Sequence, residues 1–161
     1  MGASDESAQE WITISTGEAV RVECPPLYFC VRRREVGADG GLSLELYGPR
    51  EDADAEELIR FDLFRDDPHY HGPASEPKPV SLSVPAASTP LDTALAQLSG
   101  RLPELLVDAG HARDAQAAHA APADLAERLR DACERAPEPV DSKRFPLNAQ
   151  MRILLGMEEE K

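Results

Sequence analysis

Apolar and polar residues alternate along the first half of the chain, a pattern typical of β-strands with one buried face. The alternation covers five segments: 11–15, 20–24, 27–32, 42–47 and 57–64. A turn at 15–18 predicts that the first two strands form a hairpin, and a glycine-rich turn at 37–41 predicts a second hairpin between the third and fourth strands. Because no helical pattern separates them, the sequence predicts an antiparallel meander with one face exposed to water.

The segments on either side of the fifth strand are predicted to lie outside the main sheet. Residues 48–56 are mostly acidic and are expected to form a solvated loop. Residues 72–90 are rich in Pro, Ser and Ala, which favours a linker. Within that linker, residues 80–84 alternate enough to predict a short sixth strand.

Helical periodicity begins after the linker. Pro90 is expected to be the first residue of a helix capped by Thr89, and Gly100 predicts a break in it. Further helices are expected at 122–135 and, as a short last element, at 147–155. The predicted fold class is therefore α+β, an antiparallel five- to six-stranded meander followed by two or three C-terminal helices packed on one face.

These patterns predict one domain with a hydrophobic core. Residues 10–156 are expected to form a single α+β domain, with the sheet in 10–85 and the helical part in 89–156. Residues 1–9 are expected to be a disordered N-terminus, and 157–161 an acidic tail. The apolar faces predict that the following residues are buried: Leu27, Phe29, Leu44, Leu46, Phe61, Leu95, Leu98 and Leu129.

The charge of the chain excludes some classes of partner. Its 30 acidic and 17 basic side chains give a formal net charge of -13, so the average surface repels phosphate groups and anionic lipids. General nucleic-acid binding and a membrane association are therefore not expected. The absence of a long apolar run or a signal-peptide pattern predicts a cytoplasmic protein. The acidic, arginine-rich composition also suits a high-GC genome or a high-salt cytoplasm.

Motifs for the major cofactors are absent from the sequence. There is no Walker loop, GxGxxG, GxSxG or HExxH motif, so no organic cofactor is predicted. The three cysteines are an odd number without CxxC spacing and are expected to be reduced and mostly buried. The leading functional hypothesis is consequently a small non-catalytic binding or regulatory protein, with an unknown protein partner or self-association.

The candidate site lies where the fifth strand ends. Asp62 is near the end of that strand, and His69 and His71 follow a turn. If the segment from His69 to His71 is extended, both imidazoles point to the same side, which suits a divalent transition metal. The third ligand is expected to be Asp62, Glu76 or Glu45. The competing interpretation is that the histidines are half-buried groups tying the end of the sheet to the linker.

Two resemblances extend this interpretation. The segment 57–64 running into Pro68-His69-Tyr70-His71 resembles the signature of an uncharacterised family of small prokaryotic proteins, which implies no activity. The Arg60-Phe61-Asp62 tripeptide before a histidine-rich turn is also similar to small toxin-like proteins of toxin and antitoxin pairs. That resemblance implies an activity on RNA with Arg60, Asp62, His69 and His71 in the active site, where histidine is the acid or base and arginine the phosphate contact. The alternative functional hypothesis is therefore a metal- or histidine-dependent hydrolase or ribonuclease-like protein with its site at Asp62, His69 and His71.

The spacing of His69, His71 and Glu76 also matches the core of the cupin metal motif. Leu63 and Ser83 stand where that pattern has glycines, and no second histidine motif follows. Pro73 and Pro77 also oppose a ladder strand through Glu76. The sequence therefore does not predict a cupin.

Overall fold

The computed structural model describes residues 10–50, 53–72, 79–118 and 123–155. Within these ranges the chain forms one eight-stranded sheet and five helices. The strands are β1 (Trp11–Thr16), β2 (Val20–Cys24), β3 (Leu27–Val36), β4 (Asp39–Arg50), β5 (Ala53–Phe64), β6 (His69–His71), β7 (Val80–Ser81) and β8 (Asp141–Pro146). The helices are α1 (Pro90–Gly100), α2 (Leu102–Asp108), α3 (Ala112–Ala118), α4 (Leu125–Arg135) and α5 (Ala149–Leu154). The predicted α+β class and the largely meander-like antiparallel sheet are confirmed.

The strand order is β7-β6-β5-β4-β3-β1-β8, and β2 pairs with β3 beside this path. All pairs are antiparallel. The predicted hairpin between β3 and β4 is present, and its turn contains Gly37 at a φ of 63°. A residue with a Cβ is strained at this angle, so the turn position favours glycine.

One face of the sheet packs against helices and forms the core. Alternate residues of β3, β4 and β5 are buried there, and α1, α2 and α4 contribute leucines from the other side. All eight residues that the apolar faces predicted to be buried lie in this core. The exposed fraction is 0% for Phe29 and Phe61 on the sheet and for Leu106 and Leu129 on the helices, so the layer between sheet and helices is fully buried.

The first predicted hairpin is wrong. β1 does not pair with β2; it pairs with β3 through Ile14, Ser15 and Thr16, and with β8 along its whole length. β2 pairs with β3 instead, across the tight turn at Pro25 and Pro26. Alternation identified both strands and their buried faces, but it carries no information on which strand is the neighbour.

Strand β8 was not predicted, because the segment Asp141–Pro146 is mostly exposed and shows no apolar alternation. It is held by main-chain pairing with β1 and by the hydroxyl groups of Ser15 and Ser142, which lie 2.7 Å apart. The paired strands β1 and β8 are called the end ribbon below. Helix α5 is joined to the start of this ribbon by an ion pair of 3.0 Å between Arg152 and Glu10.

The acidic segment 48–56 was predicted to be a loop, and this is also wrong. β4 continues to Arg50 and β5 begins at Ala53. Both strands therefore extend beyond the segments 42–47 and 57–64 in which apolar and polar residues alternate. The shift in register between Leu46 and Tyr47 changes which residues face the core at this point.

The helices follow the sequence more closely. Thr89 caps α1 by accepting a hydrogen bond from the main-chain N–H of Asp92, and the predicted break separates α1 from α2. Helix α4 begins at Leu125, three residues later than the predicted start of 122. Among the described residues there are more helices than the two or three expected, and none is both long and apolar enough to cross a membrane. The predicted N-terminus 1–9 and tail 157–161 lie outside the described residues.

Candidate functional site

The ladder between β5 and β6 brings the candidate residues together. Asp62 pairs with His69, and Arg60 pairs with His71. Directly opposed residues in an antiparallel pair point to the same face. All four side chains therefore lie on the face of the sheet opposite the helices, as the alternation in both strands requires.

The two imidazole rings converge on one carboxylate oxygen. Oδ2 of Asp62 lies 3.2 Å from Nε2 of His69 and 3.2 Å from Nε2 of His71. The rings of His69 and His71 meet edge to face with their centroids 5.0 Å apart. Asp62 is 2% exposed and His69 is 5% exposed, whereas His71 is half-buried. The cluster is thus a largely buried polar group that reaches solvent on the side of His71.

Other donors hold the Asp62 carboxylate in place. Ser43 donates a hydrogen bond of 2.8 Å to Oδ1, and Nε of Arg60 donates one of 3.1 Å to Oδ2. Nη1 of Arg34 lies 4.0 Å from Oδ1. Burial raises the pKa of Asp62, but the hydrogen bonds from both histidines and the charges of Arg60 and Arg34 outweigh burial, so the pKa lies below its usual range. Asp62 is consequently ionised at neutral pH.

The same contacts shift the pKa values of the two histidines in opposite directions. Burial lowers the pKa of His69, but its hydrogen bond to Asp62 and the charge of that carboxylate reverse this, and the pKa is raised. The pKa of His71 is lowered, because burial together with the positive charge of Arg60 outweighs the attraction of Asp62. Two imidazoles that touch one carboxylate thus differ in which protonation state the protein favours.

The second nitrogen of His69 fixes the orientation of its ring. Nδ1 lies 2.7 Å from the main-chain carbonyl oxygen of Asp67. A carbonyl only accepts hydrogen bonds, so Nδ1 carries the proton. In a neutral His69 the other nitrogen, Nε2, would then direct a lone pair at the ionised Asp62. The geometry therefore calls for a positive centre between His69 and Asp62, which is either a second proton on the ring or a metal ion.

The cluster forms the floor of a cavity of about 290 Å³. Its walls include apolar side chains from the end ribbon and the residue that follows α5, namely Ile12, Ile14 and Leu155. Phe64 contacts His69 edge to face with a centroid distance of 5.5 Å and forms part of the same lining. An apolar cavity with a few converging polar groups is the usual form of a small-molecule site.

The charged groups that line the cavity are unequal in number. Four aspartates stand against two arginines: Asp39, Asp62, Asp66 and Asp67 against Arg34 and Arg60. Asp39 accepts hydrogen bonds from the main-chain N–H groups of Gly40, Asp66 and Asp67, so the excess of negative charge gathers at the turn before β6. With neutral imidazoles the lining therefore favours a cationic ligand near this turn.

Of the alternative third ligands, neither Glu45 nor Glu76 is placed in the cluster. Glu45 is 5% exposed, accepts a hydrogen bond of 2.8 Å from Tyr47 and lies 2.9 Å from Nε of Arg32, an ion pair too poorly aligned for a hydrogen bond. Glu76 lies outside the described residues. Among the described residues, Asp62, His69 and His71 are the group whose ligand atoms all lie within 4.8 Å of one another.

Sequence reasoning missed several residues of this site. Ser43 and Arg34 lie on neighbouring strands, and their alternation with apolar residues placed them on the polar face without showing that they reach Asp62. The wall formed by Ile12, Ile14 and Leu155 depends on the pairing of β1 with β8, which was not predicted. These contacts could have been predicted from the sequence only if the order of the strands had been known.

Fold and site together define a class: an α+β domain whose antiparallel sheet carries helices on one face and a buried Asp-His-His cluster on the other. Residues 21–136 match the model of a family described as a domain of unknown function, DUF7700, and the chain belongs to this family. No curated protein and no solved structure matches the chain. Membership of an uncharacterised family is confirmed, whereas the role of the segment from Arg60 to His71 as its signature stays a prediction.

Proposed function

We propose that this protein binds a divalent transition metal at Asp62, His69 and His71. The observation that carries the proposal is the position of Asp62 Oδ2, 3.2 Å from Nε2 of both histidines. Zinc ligands lie at about 2.0–2.2 Å from the ion in tetrahedral geometry, so neighbouring ligand atoms are roughly 3.3–3.6 Å apart, close to the distance in this cluster. Two imidazoles and one carboxylate are also a donor set for iron(II).

The contacts around these three residues support the same proposal. A metal-binding histidine usually donates its other N–H to a carbonyl or carboxylate, which fixes the ring and the tautomer. His69 does this through Nδ1 and the carbonyl of Asp67. Ser43 donates to Oδ1 of Asp62, the oxygen that the histidines leave open, and Arg60 donates to Oδ2 beside them. Each of these groups would keep a ligand atom aimed at the centre of the cluster.

Three protein ligands beside a cavity are typical of catalytic metal sites, because positions remain for water or substrate. A bound ion would supply Lewis-acid chemistry or an activated water molecule there. The chain's own residues would orient Asp62 and form the apolar wall. We therefore propose a metal-dependent enzyme. A ribonuclease-like activity has less support, because Arg60, its expected phosphate contact, is already paired with Asp62.

A second candidate is the leading hypothesis from the sequence, a non-catalytic binding or regulatory protein without metal. The observation in its favour is that Asp62 already receives hydrogen bonds from Ser43 and Arg60 and that protonated His69 would supply a further donor. In this form the cluster stabilises the sheet, and the cavity binds a ligand. Cytoplasmic location and self-association remain proposals.

The test is the metal content of protein purified without an affinity tag. We expect one equivalent of metal, measured by inorganic mass spectrometry, that is lost in His69→Ala and in His71→Ala. His111→Ala is the matched control, because His111 is a half-buried histidine outside the cluster and lines no part of this cavity. Circular dichroism of each variant separates loss of metal from loss of fold.

Metal-free protein is then titrated by calorimetry with Zn²⁺ and, without oxygen, with Fe²⁺. Binding with micromolar or better affinity that requires both histidines would support the proposal. If neither ion binds the folded wild-type protein, the metal site does not exist, and the non-catalytic candidate becomes the conclusion.

A further inference from the structure

Arg34 has no hydrogen-bond acceptor among the described residues, in contrast to Arg33 and Arg60, its neighbours in sequence and in space. Arg33 donates to the main-chain oxygens of Cys133 and Ala136, and Arg60 donates to Asp62. Within the part of the chain that the structure describes, the carboxylate oxygen paired with Arg34 is Oδ1 of Asp62, at 4.0 Å, which is too far for a hydrogen bond.

Arg34 is largely buried, and a long ion pair with Asp62 is its charged contact among the described residues. Its side chain is 19% exposed and forms no hydrogen bond among the described residues, although none of its guanidinium nitrogens is completely shut off from solvent. Burial and the charge of Arg60 lower its pKa, whereas Asp62 opposes the change and does not cancel it. A buried charged group is normally paired, and a guanidinium presents a flat set of donors that suits a carboxylate or phosphate. Arg34 thus carries unused capacity to bind an anion.

The surroundings of Arg34 define the rest of the ligand. Arg34 lines the cavity above the Asp-His-His cluster and also a neighbouring cavity of about 430 Å³, and Ile14 lines both. The apolar surface beside Arg34 comes from Ile12, Ile14 and Leu155. A second cation, Lys143, lies opposite Ile14 in the β1–β8 ladder and lines the neighbouring cavity.

This apolar wall and the polar floor come from different parts of the chain. Arg34, Asp62, His69 and His71 fall within the residues that match the family, 21–136. The end ribbon and Leu155 fall outside that match. The chemistry of the floor therefore belongs to the family domain, and the wall is added by the flanking segments.

We propose that the cavity binds a small organic anion with an apolar body, whose anionic group contacts Arg34 and whose body lies against Ile12, Ile14 and Leu155. In the proposed enzyme this molecule represents the class of substrate. Its role as substrate rests on the proposed function, whereas its binding to the cavity does not. The negative charge at the turn before β6 does not oppose this arrangement, because Arg34 lies on β3, where Arg34 and Arg60 together outnumber the one carboxylate of Asp62.

The test uses octanoate as probe, with octanol and octylamine as neutral and cationic analogues of the same length. Binding to full-length protein is followed by calorimetry and by shifts of main-chain amide signals in NMR spectra. We expect octanoate to bind at least tenfold more tightly than octanol and to shift the signals of Ile14, Arg34 and Leu155. Affinity should rise from butyrate to octanoate by up to about fourfold per added methylene.

Two variants assign this binding to the cavity. Arg34→Gln should weaken octanoate binding at least tenfold and leave octanol unchanged, and Ile14→Ala should reduce the gain per methylene. Arg135→Gln is the matched control, since it removes one positive charge from the exposed face of α4. It should change neither the affinity for octanoate nor the gain in affinity per methylene. Thermal unfolding of each variant confirms that it is folded.

The inference is overturned if octanol binds as tightly as octanoate, if the shifts lie away from Ile14 and Arg34, or if no member of the series binds. Repeating the titration with metal-loaded and metal-free protein separates the two proposals. If the protein binds octanoate but takes up no metal, this inference stands and the proposed metal centre is wrong. Metal binding without octanoate binding would do the reverse.

Discussion

Asp62 and His69 face each other across the β5–β6 ladder, with Oδ2 of the first 3.2 Å from Nε2 of the second. The turn between them returns the chain so that Asp67 offers its main-chain oxygen to the far side of the same ring. One short turn therefore both pairs the two residues and selects the tautomer of His69.

Replacing Asp62 should destabilise the protein most strongly at neutral pH. Asp62→Asn leaves Arg60 and the histidines without their buried counter-charge, a change that typically costs about 3–5 kcal/mol. The folded pKa of Asp62 is depressed, so its stabilisation is present above its ordinary pKa of about 3.9 and is lost as the pH falls below that value toward the folded pKa. Urea unfolding at neutral pH and near pH 3.5 should show the difference between wild type and variant shrinking in acid.

Asp131→Asn is the control for this experiment, because Asp131 forms an exposed ion pair with Arg135. Such surface pairs contribute about 0–1 kcal/mol. An Asp62→Asn effect no larger than that of the control would show that the cluster does not stabilise the fold.

The two histidines should titrate on opposite sides of the ordinary histidine pKa. In metal-free protein, NMR signals of the imidazole rings should place His69 above about 6.5 and His71 below it. The stabilisation from protonated His69 is complete below that ordinary value and is lost as the pH rises through the raised folded pKa. That from neutral His71 is present above it and is lost as the pH falls through the lowered one.

Assignment of these signals requires the spectra of His69→Gln and His71→Gln. Added Zn²⁺ should suppress both titrations if the metal site exists. Superimposed titration curves for the two rings would show that they do not share Asp62 in the way described.

Gly41 should tolerate no side chain. Its φ is 155°, and a Cβ placed there would lie 2.4 Å from the main-chain oxygen of Leu63 on the paired strand. Gly41→Ala should lower the free energy of unfolding by about 1–3 kcal/mol or more, because neither main chain can move without breaking the ladder. Chemical denaturation measures this difference directly.

Gly100 provides the matched comparison, because a Cβ there would have no neighbour within 4 Å. Gly100 is the last residue of α1, and alanine has the higher helix propensity, so Gly100→Ala should be neutral or stabilising by up to about 1 kcal/mol. Equal effects at the two positions would argue against the close β4–β5 contact.

The cysteines should react slowly in the native protein. Burial raises the pKa of all three thiols, that of Cys133 to about 11, and Cys24 and Cys133 are 1% and 3% exposed. With iodoacetamide at neutral pH, followed by peptide mass spectrometry, Cys30 should be modified first because it is half-buried. Cys24 and Cys133 should be modified only on unfolding. Rapid modification of Cys133 in folded protein would contradict its buried position.

The parts of the fold that depend on contacts between residues close in sequence could be predicted, and those that depend on contacts between distant residues could not. The β3–β4 hairpin was predictable because its strands are joined by a glycine turn, so the pairing is local. The capped start of α1 at Thr89 was predictable for the same reason. The pairing of β1 with β8 was not, since it joins Ser15 to Ser142 across 127 positions and β8 has no apolar face.

The sequence by itself determined which residues have an apolar face, where the chain turns, the α+β class, and that Asp62, His69 and His71 are candidates for one site. Those properties depend on neighbouring residues, whose spacing is read directly from the chain. Only the tertiary structure decided that the end ribbon forms the cavity wall and that Arg34 lies beside Asp62 without an acceptor of its own. Strand order and side-chain distance arise from contacts between distant segments, and the alternation of apolar residues specifies a face without specifying its neighbour.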